Sequence, residues 1–268
     1  LMVVSAGQDY IEMVKHPKHG YGSNMNPCLD CRIFLFRKAK AYMEEVGAQF
    51  IFTGEVLGQR PMSQHRRAMT LIEKEAGLQG LVVRPLCGKL LPPTIPEEKG
   101  YLDRNYLLEI QGRRRLPQIE LAKKLTITDY PCPAGGCRLT DPNYAKKIKD
   151  AFAHGEDSIH EINLLKYGRH FRLPSGAKVI VGRNEDDNKM LLHHREVADV
   201  IIEVMGMGSP VTILRKHTTP DDYRIAIGLC LRYSDAKVED GLLVKITENK
   251  NTVMQPLDDG VRDVIQTA

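Results

Sequence analysis

Apolar and polar residues follow two different patterns along this chain. In the first half, apolar residues recur at helical spacing over residues 33–46 and 62–76, and a glycine that would end a helix follows each segment. Short apolar runs at residues 49–53 and 80–86 come next and predict buried strands. A helix, then a strand, then a polar loop is the pattern of an α/β sheet, whose ligands bind at the carboxyl ends of the strands.

The second half predicts a smaller α+β module. Residues 168–182 read as two strands joined by a Pro-Ser-Gly turn, and residues 221–233 read as a helix that begins after a threonine N-cap. We place the boundary between a domain of residues 1–153 and a domain of residues 154–268. The remaining predicted helices are 9–15, 105–111, 116–125, 143–153 and 184–195, and the remaining predicted strands are 200–204, 211–214 and 241–247.

Composition narrows the class of protein. The 268 residues are 42% hydrophobic, which is enough for a buried core, and no run of eighteen apolar residues predicts a membrane helix. Leu1–Gly7 lacks the pattern of a secretory signal. The six cysteines include a CxxC pair, which in a cytosolic chain indicates metal binding or thiol chemistry. We therefore expect a cytoplasmic protein without a membrane partner.

Clusters of basic residues indicate a phosphate-rich partner. The net charge is only +4, but basic runs at residues 66–67, 113–115 and 146–149 concentrate positive charge locally in the first 150 residues. Solvated helix faces also produce such runs, yet several runs within one domain favour RNA. The candidate RNA-binding residues are Arg66, Arg67, Arg113, Arg114 and Arg115.

The cysteines carry the most specific chemical signal. Cys28 and Cys31 form the CxxC pair, and Cys132 and Cys137 lie about a hundred residues later. Four thiolates could hold a structural zinc ion, and three could hold a [4Fe–4S] cluster with one open iron. A third alternative uses no metal, with one cysteine as nucleophile or persulfide carrier and another as resolving thiol.

A polar loop follows the first predicted strand of the sheet. Gly54 would let the backbone approach a ligand, and Glu55, Gln59 and Arg60 are polar groups that a nucleotide could use. The alternative is an ordinary loop that leads to a helix capped by Ser63. Both interpretations stay open on the residues alone.

Several motifs of the first half resemble one family. NPCLDC, FTGEVLGQRPMSQ, RPL, GRRR-x₂-Q and YPCPAGGCRLTDP resemble the PP-loop ATP-pyrophosphatase proteins that thiolate tRNA, close to the 4-thiouridine and 2-thiouridine synthases. The resemblance covers roughly residues 8–152. It implies an α/β fold with an incomplete parallel sheet of the adenine-nucleotide alpha-hydrolase type.

The second half resembles a different domain. Residues 168–258, which contain GRHFRLPSGAKVIVGRNEDDNKML and AIGLCLRYSDAKVEDGLLVKI, look like the small RNA-associated domain of the NFACT type. The combination of the two halves is more specific than any one motif.

The resemblance implies an ATP-dependent tRNA sulfurtransferase. Magnesium–ATP, bound at Gly54, Glu55, Gln59 and Arg60, would activate a uridine oxygen of tRNA, and sulfur would then displace AMP. The relatives that use a cluster hold it with a CxxC pair and a distant cysteine followed by proline, which here are Cys28, Cys31 and Cys132. In the relatives without a cluster, a cysteine at a CxxC-like position and one in a late loop transfer the sulfur, and Cys137 would be the later, catalytic thiol. A sulfur donor protein or sulfide would supply the sulfur.

One family motif has no counterpart in this chain. The Ser-Gly-Gly-x-Asp-Ser loop that binds ATP in that family is absent, and Ser5-Ala6-Gly7-Gln8-Asp9 does not replace it. We therefore expect the chain to be a large fragment of such an enzyme. The alternative function is a non-catalytic RNA-binding protein with a structural Cys₄ zinc site.

Overall fold

The computed structural model describes residues 1–130, 136–236 and 242–256. The chain divides into two compact units, unit 1 (Leu1–Lys146) and unit 2 (Lys147–Ala268). The division falls within helix α6 (Pro142–Ala153), a little before the boundary predicted at residues 153 and 154.

Unit 1 combines helices with a small parallel sheet. Strands β1 (Ile51–Phe52) and β2 (Val82–Val83) pair in parallel, with Ile51 opposite Val82. A parallel pair needs a crossover between its strands, and here a helix provides it. The helices of this unit are α1 (Gly7–Lys15), α2 (Cys28–Glu45), α3 (Arg66–Ala76), α4 (Ile95–Glu98) and α5 (Leu116–Lys124).

The core of unit 1 lies between helices α2 and α3 and strand β2. Ile33 and Phe36 project from α2, Ile72 projects from α3, and Val82 completes the cluster from the sheet. The helical spacing of these residues predicts their shared face. The described part of unit 1 is thus α/β with a parallel sheet, and the PP-loop fold stays a prediction.

Three predictions for unit 1 are wrong in detail. Residues 105–111 are not an α-helix; a 3₁₀ turn (Arg104–Tyr106) leads into extended chain that hydrogen-bonds to residues 85 and 86. Residues 90–100, whose three prolines predict a loop, contain helix α4, which Thr94 caps. The segment predicted as a helix from residue 62 becomes helical only at Arg66, and His65 rather than Ser63 is its N-cap.

Unit 2 is built on an antiparallel sheet. Its strands are β3 (Arg169–Arg172), β4 (Lys178–Val181), β5 (Val200–Val204), β6 (Thr212–Arg215), β7 (Leu243–Glu248) and β8 (Asn251–Pro256). They lie in the order β3-β4-β6-β5-β7-β8. The helices that follow Lys147 are α7 (Ile159–Leu164), α8 (Glu185–His194) and α9 (Pro220–Arg232).

Both faces of this sheet are covered. Val200 and Ile202 of β5 belong to the core cluster that contains α9, whereas Ile201 belongs to a second cluster with Leu164 of α7 and Leu191 of α8. Successive side chains of a strand point to opposite faces, so a strand covered on both faces is apolar throughout. The apolar runs at residues 179–181 of β4 and 200–202 of β5 follow from this arrangement.

The predicted α+β character of the second half agrees with these elements. Helix α7 and strand β8 were not predicted, because each is short and carries mixed apolar and polar residues. None of the helices in the described part of the chain combines the length and the apolar character that a membrane crossing requires.

Candidate functional site

A cavity of about 400 Å³ lies beside the polar loop of unit 1. Three of the four predicted nucleotide-binding residues, Gly54, Gln59 and Arg60, line it. Arg115, predicted to bind RNA, lies in the same wall. The sequence did not predict the contribution of Arg32, Gln118 and Tyr130, which come from distant segments.

Backbone pairing joins two segments that line this cavity, the polar loop after β1 and the arginine turn before α5. Gly112 N donates a 2.8 Å hydrogen bond to the carbonyl oxygen of Leu57, which makes a parallel bridge with Gln111. Gly58 and Gly112 both have positive φ, at 76° and 88°. A residue with a Cβ is strained in that region, so glycine allows the loop and the arginine turn to meet. This contact positions Arg60 and Arg115 in one wall.

The charge of the cavity is positive. Arg60 and Arg115 are half-buried and form no ion pair with any residue that the structure describes. Arg32 also lines the cavity, but its Nε lies 3.3 Å from Oε1 of Glu55 and is thereby partly neutralised. A site with two unpaired guanidinium groups favours an anionic ligand.

Two amide side chains of the cavity lack partners. Gln64 is 2% exposed, and its Oε1 accepts no hydrogen bond within the described structure. Gln118 on α5 has neither a donor partner nor an acceptor partner for its amide there. Buried polar groups are normally paired, so unpaired amides that line a cavity are ready to bind a ligand or water.

Glu55 does not face the cavity as a free ligand. Its side chain is buried beneath the loop, where Oε2 accepts a hydrogen bond of 3.0 Å from Arg84 Nε. Arg84 also contacts Glu73 through Nη1. Glu55 thus balances two arginines in the core of unit 1, a role that differs from the predicted contact with a nucleotide.

A second site in unit 1 gathers three thiols. Cys28 and Cys31 lie on the first turn of α2, where residues three apart share a face. Asn24 Nδ2 donates to Thr140 O at 2.8 Å, and Met25 N donates to Leu139 O at 3.1 Å. These bonds bring Cys137 to the start of α2. The structure thus places the CxxC pair on a helix.

The environment of Cys31 is defined by its neighbours. Burial raises the pKa of the Cys31 thiol, and negative charge on Cys137 or Cys28 raises it further. The Tyr10 hydroxyl lies 3.5 Å from Cys31 Sγ and opposes this shift by stabilising the thiolate. Asn26 Nδ2 donates to Cys28 Sγ at 3.5 Å. No motif in the sequence marks Tyr10, which reaches the thiols through the packing of α1 on α2.

The predicted metal ligands are only partly within the structure. Cys132 lies outside the described residues, so the ligand set of Cys28, Cys31 and Cys132 stays a prediction. Across residues 1–130, 136–236 and 242–256, no three His, Cys, Asp or Glu side chains stand in a metal-binding arrangement. Cys28, Cys31 and Cys137 are half-buried free thiols, and Cys137 lies close enough to Cys31 to affect its pKa. Cys87 and Cys230 are fully buried core residues.

The predicted RNA-binding arginines fall into separate groups. Arg113 and Arg114 are exposed on the turn that leads to Arg115. Arg66 and Arg67 are exposed at the start of α3, and Arg66 lines a different cavity. The five arginines therefore do not form one surface patch around the unit 1 cavity.

Unit 2 carries a groove of about 290 Å³. The guanidinium of Arg169 lies 4.5 Å from the ring centroid of Tyr233, and both side chains line the groove. The remaining lining is mixed in charge and rich in hydrogen-bonding groups: Arg183, Asn184, Glu185, Asn188, Ser209 and Asp235. Arginine planes and aromatic rings of this kind stack on unpaired bases.

Comparisons with known proteins identify the second half. The C-terminal part of the fibronectin/fibrinogen-binding protein from Streptococcus suis is similar at 14% identity and a TM-score of 0.30, over 96% of this chain and 97% of that chain. Curated protein sequences yield no match. Residues 168–259 match the family model described as NFACT protein RNA binding domain. The resemblance predicted for residues 168–258 is thereby confirmed, because residues 168–259 match this RNA-binding domain model.

Proposed function

We propose that this chain binds tRNA and that unit 2 makes the principal contact, through the groove of Arg169 and Tyr233. The observation that carries the proposal is the match of residues 168–259 to an RNA-binding domain, within which both side chains lie. An RNA base would stack on the exposed face of the Arg169–Tyr233 pair. Asn188, Ser209 and Asp235 would bond to the base edge or the ribose hydroxyl.

The mixed charge of the groove favours single-stranded RNA over a duplex. Glu185 and Asp235 line it together with Arg169 and Arg183. A surface that bound only phosphates would carry positive charge alone, whereas bases and ribose offer both donors and acceptors. In tRNA, the loops and the 3′ end provide such unpaired nucleotides.

Fluorescence anisotropy of the full chain with a labelled tRNA transcript tests the proposal. We expect Arg169→Ala to weaken binding by about tenfold, because it removes a stacking plane and a charge. Arg232→Ala is the matched control, since Arg232 is exposed in the same unit and lies outside the groove. Equal affinities of the two variants would contradict the role of the groove. Competition with an unlabelled, unstructured RNA of equal length tests the preference for tRNA.

A second candidate function is thiolation of the bound tRNA. The observation that favours it is the gathering of Cys28, Cys31 and Cys137 with Tyr10 in unit 1. Cys137 would carry a persulfide from a sulfur donor, and its outer sulfur would attack an ATP-activated uridine and displace AMP. Cys31 would then attack Cys137 Sγ to release the thiolated base, and a thiol reductant would reopen the resulting disulfide.

A bound metal would also use the two thiols of the CxxC pair. A [4Fe–4S] cluster on Cys28, Cys31 and Cys132 would offer an open iron for sulfide, whereas zinc would be structural. Iron, zinc and sulfide analysis of protein purified without oxygen decides between them. Iron with labile sulfide supports the cluster, stoichiometric zinc supports the alternative of a structural Cys₄ site, and a metal-free protein that thiolates tRNA supports the persulfide route.

A further inference from the structure

The cavity of unit 1 has the chemistry of a nucleotide site that needs no metal. Arg60 and Arg115 are cations without ion-pair partners in the described structure, and both line the cavity. An arginine binds a phosphate through paired N–H donors that match its oxygens. Two such groups can hold a phosphate directly, without a divalent ion as a bridge.

Recognition of a base requires hydrogen-bonding groups, and the side-chain amides of two glutamines provide them. Gln64 is almost fully buried, and its unpaired Oε1 marks an acceptor without a donor. Gln118 offers a donor and an acceptor side by side, both unpaired in the described structure. The edges of nucleobases present complementary donors and acceptors, and glutamine pairs with such edges in two bonds.

The rest of the wall suits a flat ring. Ile119, Ala122 and Ile127 provide apolar surface, and Tyr130 provides an aromatic face. Bases bind by stacking on such surfaces, and a cavity of about 400 Å³ falls in the usual range for small-ligand sites.

We propose that this cavity binds a nucleoside monophosphate unit, with its phosphate on Arg60 and Arg115 and its base against Gln64 and Gln118. The unit is either a free nucleotide or one nucleotide of an RNA strand, because both present the same phosphate and base. This inference does not depend on sulfur chemistry or on the groove of unit 2. It differs from a magnesium–ATP site because its anion contacts are arginines alone.

Calorimetric titration of the full chain tests the inference. The probes are 5′-AMP, 5′-UMP, 5′-GMP and 5′-CMP without magnesium, inorganic phosphate, magnesium–ATP and a short single-stranded oligoribonucleotide. We expect at least one monophosphate or the oligonucleotide to bind more tightly than inorganic phosphate. Binding of a free monophosphate identifies a mononucleotide source, and binding of the oligonucleotide alone identifies an RNA source.

Three variants locate the site. Arg115→Ala should weaken that ligand by about tenfold or more. Lys124→Ala, which removes a positive charge from an exposed position outside the cavity lining, should change the affinity for the ligand less than twofold. Gln118→Leu should weaken the nucleotide and leave the affinity for inorganic phosphate unchanged, and unchanged melting temperatures of all three variants exclude unfolding as the cause.

Three results would overturn the inference. If inorganic phosphate binds as tightly as any nucleotide, the base does not contribute to binding. If magnesium–ATP binds and neither a monophosphate nor the oligoribonucleotide does, the cavity is a triphosphate site instead. Equal affinities of the Arg115→Ala and Lys124→Ala variants would place the ligand elsewhere. If the inference fails while tRNA still binds through unit 2, the proposed function stands.

Discussion

Arg84 donates a hydrogen bond of 3.0 Å from Nε to Oε2 of Glu55, and the two side chains are 4% and 3% exposed. Arg32 Nε lies 3.3 Å from the other carboxylate oxygen of Glu55. A carboxylate that balances two arginines in this way stabilises the fold. Glu55 therefore differs from its neighbours Gly54, Gln59 and Arg60, which line the cavity.

Glu55→Gln is expected to destabilise the protein. The substitution leaves Arg84 buried with less compensation, and loss of one partner of a buried ion pair costs about 3 kcal/mol or more. Urea unfolding at neutral pH measures the change. Glu98→Gln, at an exposed position, is the control and should stay within about 0.5 kcal/mol of the original protein. If Glu55→Gln keeps its stability but loses nucleotide binding, Glu55 contacts the ligand.

Gly112→Ala is expected to strain the turn that carries Arg115. Gly112 has a φ of 88°, and the added Cβ would meet no atom within 4 Å, so the cost comes from the backbone alone. That cost is about 1–2 kcal/mol. Gly54→Ala has equal space and no positive φ, and should change the free energy of unfolding much less. Equal effects of the two substitutions would show that the turn does not depend on its left-handed residue.

Glu156 should make unit 2 sensitive to acid. Burial would raise the pKa of this carboxyl, but hydrogen bonds from Arg172 and Lys178 outweigh burial and lower it to about 2. The stability that the carboxylate contributes is present above its ordinary pKa of 4.5 and is lost as the pH falls towards 2. Unfolding of the original protein should therefore become easier over this window.

Glu156→Gln tests this directly. At pH 7 it should destabilise the protein by about 3 kcal/mol or more, because Lys178 is 1% exposed and would lose its charged partner. Between roughly pH 4.5 and pH 2 the variant should lose less stability than the original protein. Urea unfolding at several pH values measures both effects. Parallel curves for the two proteins would rule out Glu156 as the titrating group.

Tyr10→Phe should slow the reaction of Cys31 with alkylating reagents. The Tyr10 hydroxyl stabilises the Cys31 thiolate, so its loss raises the pKa of that thiol and lowers the thiolate fraction at a fixed pH. We expect a decrease of about threefold to tenfold in the rate at Cys31. Peptide mass spectrometry after timed iodoacetamide treatment follows each cysteine separately. An unchanged or faster rate at Cys31 would mean that the hydroxyl does not donate to the thiolate.

The fold could be predicted where periodicity was strong. The alternating or continuous apolar runs of β4, β5 and β6 follow from burial of the sheet on both faces. Residues 105–111 were predicted as a helix because their apolar spacing suits one. The chain there instead pairs with residues 85 and 86, and a sequence pattern does not report such long-range pairing.

The candidate sites were predicted only where local motifs contain them. The loop of Gly54, Gln59 and Arg60 follows a strand, so its position at the cavity could be inferred. Gln118 and Tyr130 join it from distant parts of the chain, and the motifs GRRR-x₂-Q and YPCPAGGCRLTDP that contain them do not indicate that they meet this loop. Glu55 has the residue type of a ligand, and only its burial beside Arg84 reveals its structural role.

The salt dependence of tRNA binding by the full chain tests the central claim most directly. A protein that binds RNA through arginines releases counterions, so its affinity must fall as salt rises. Anisotropy titrations between roughly 50 mM and roughly 200 mM salt should give affinities that decrease by about tenfold or more, on a straight line of log affinity against log salt. Binding of equal strength at both salt concentrations, or no binding at the lower one, would contradict RNA recognition by this chain.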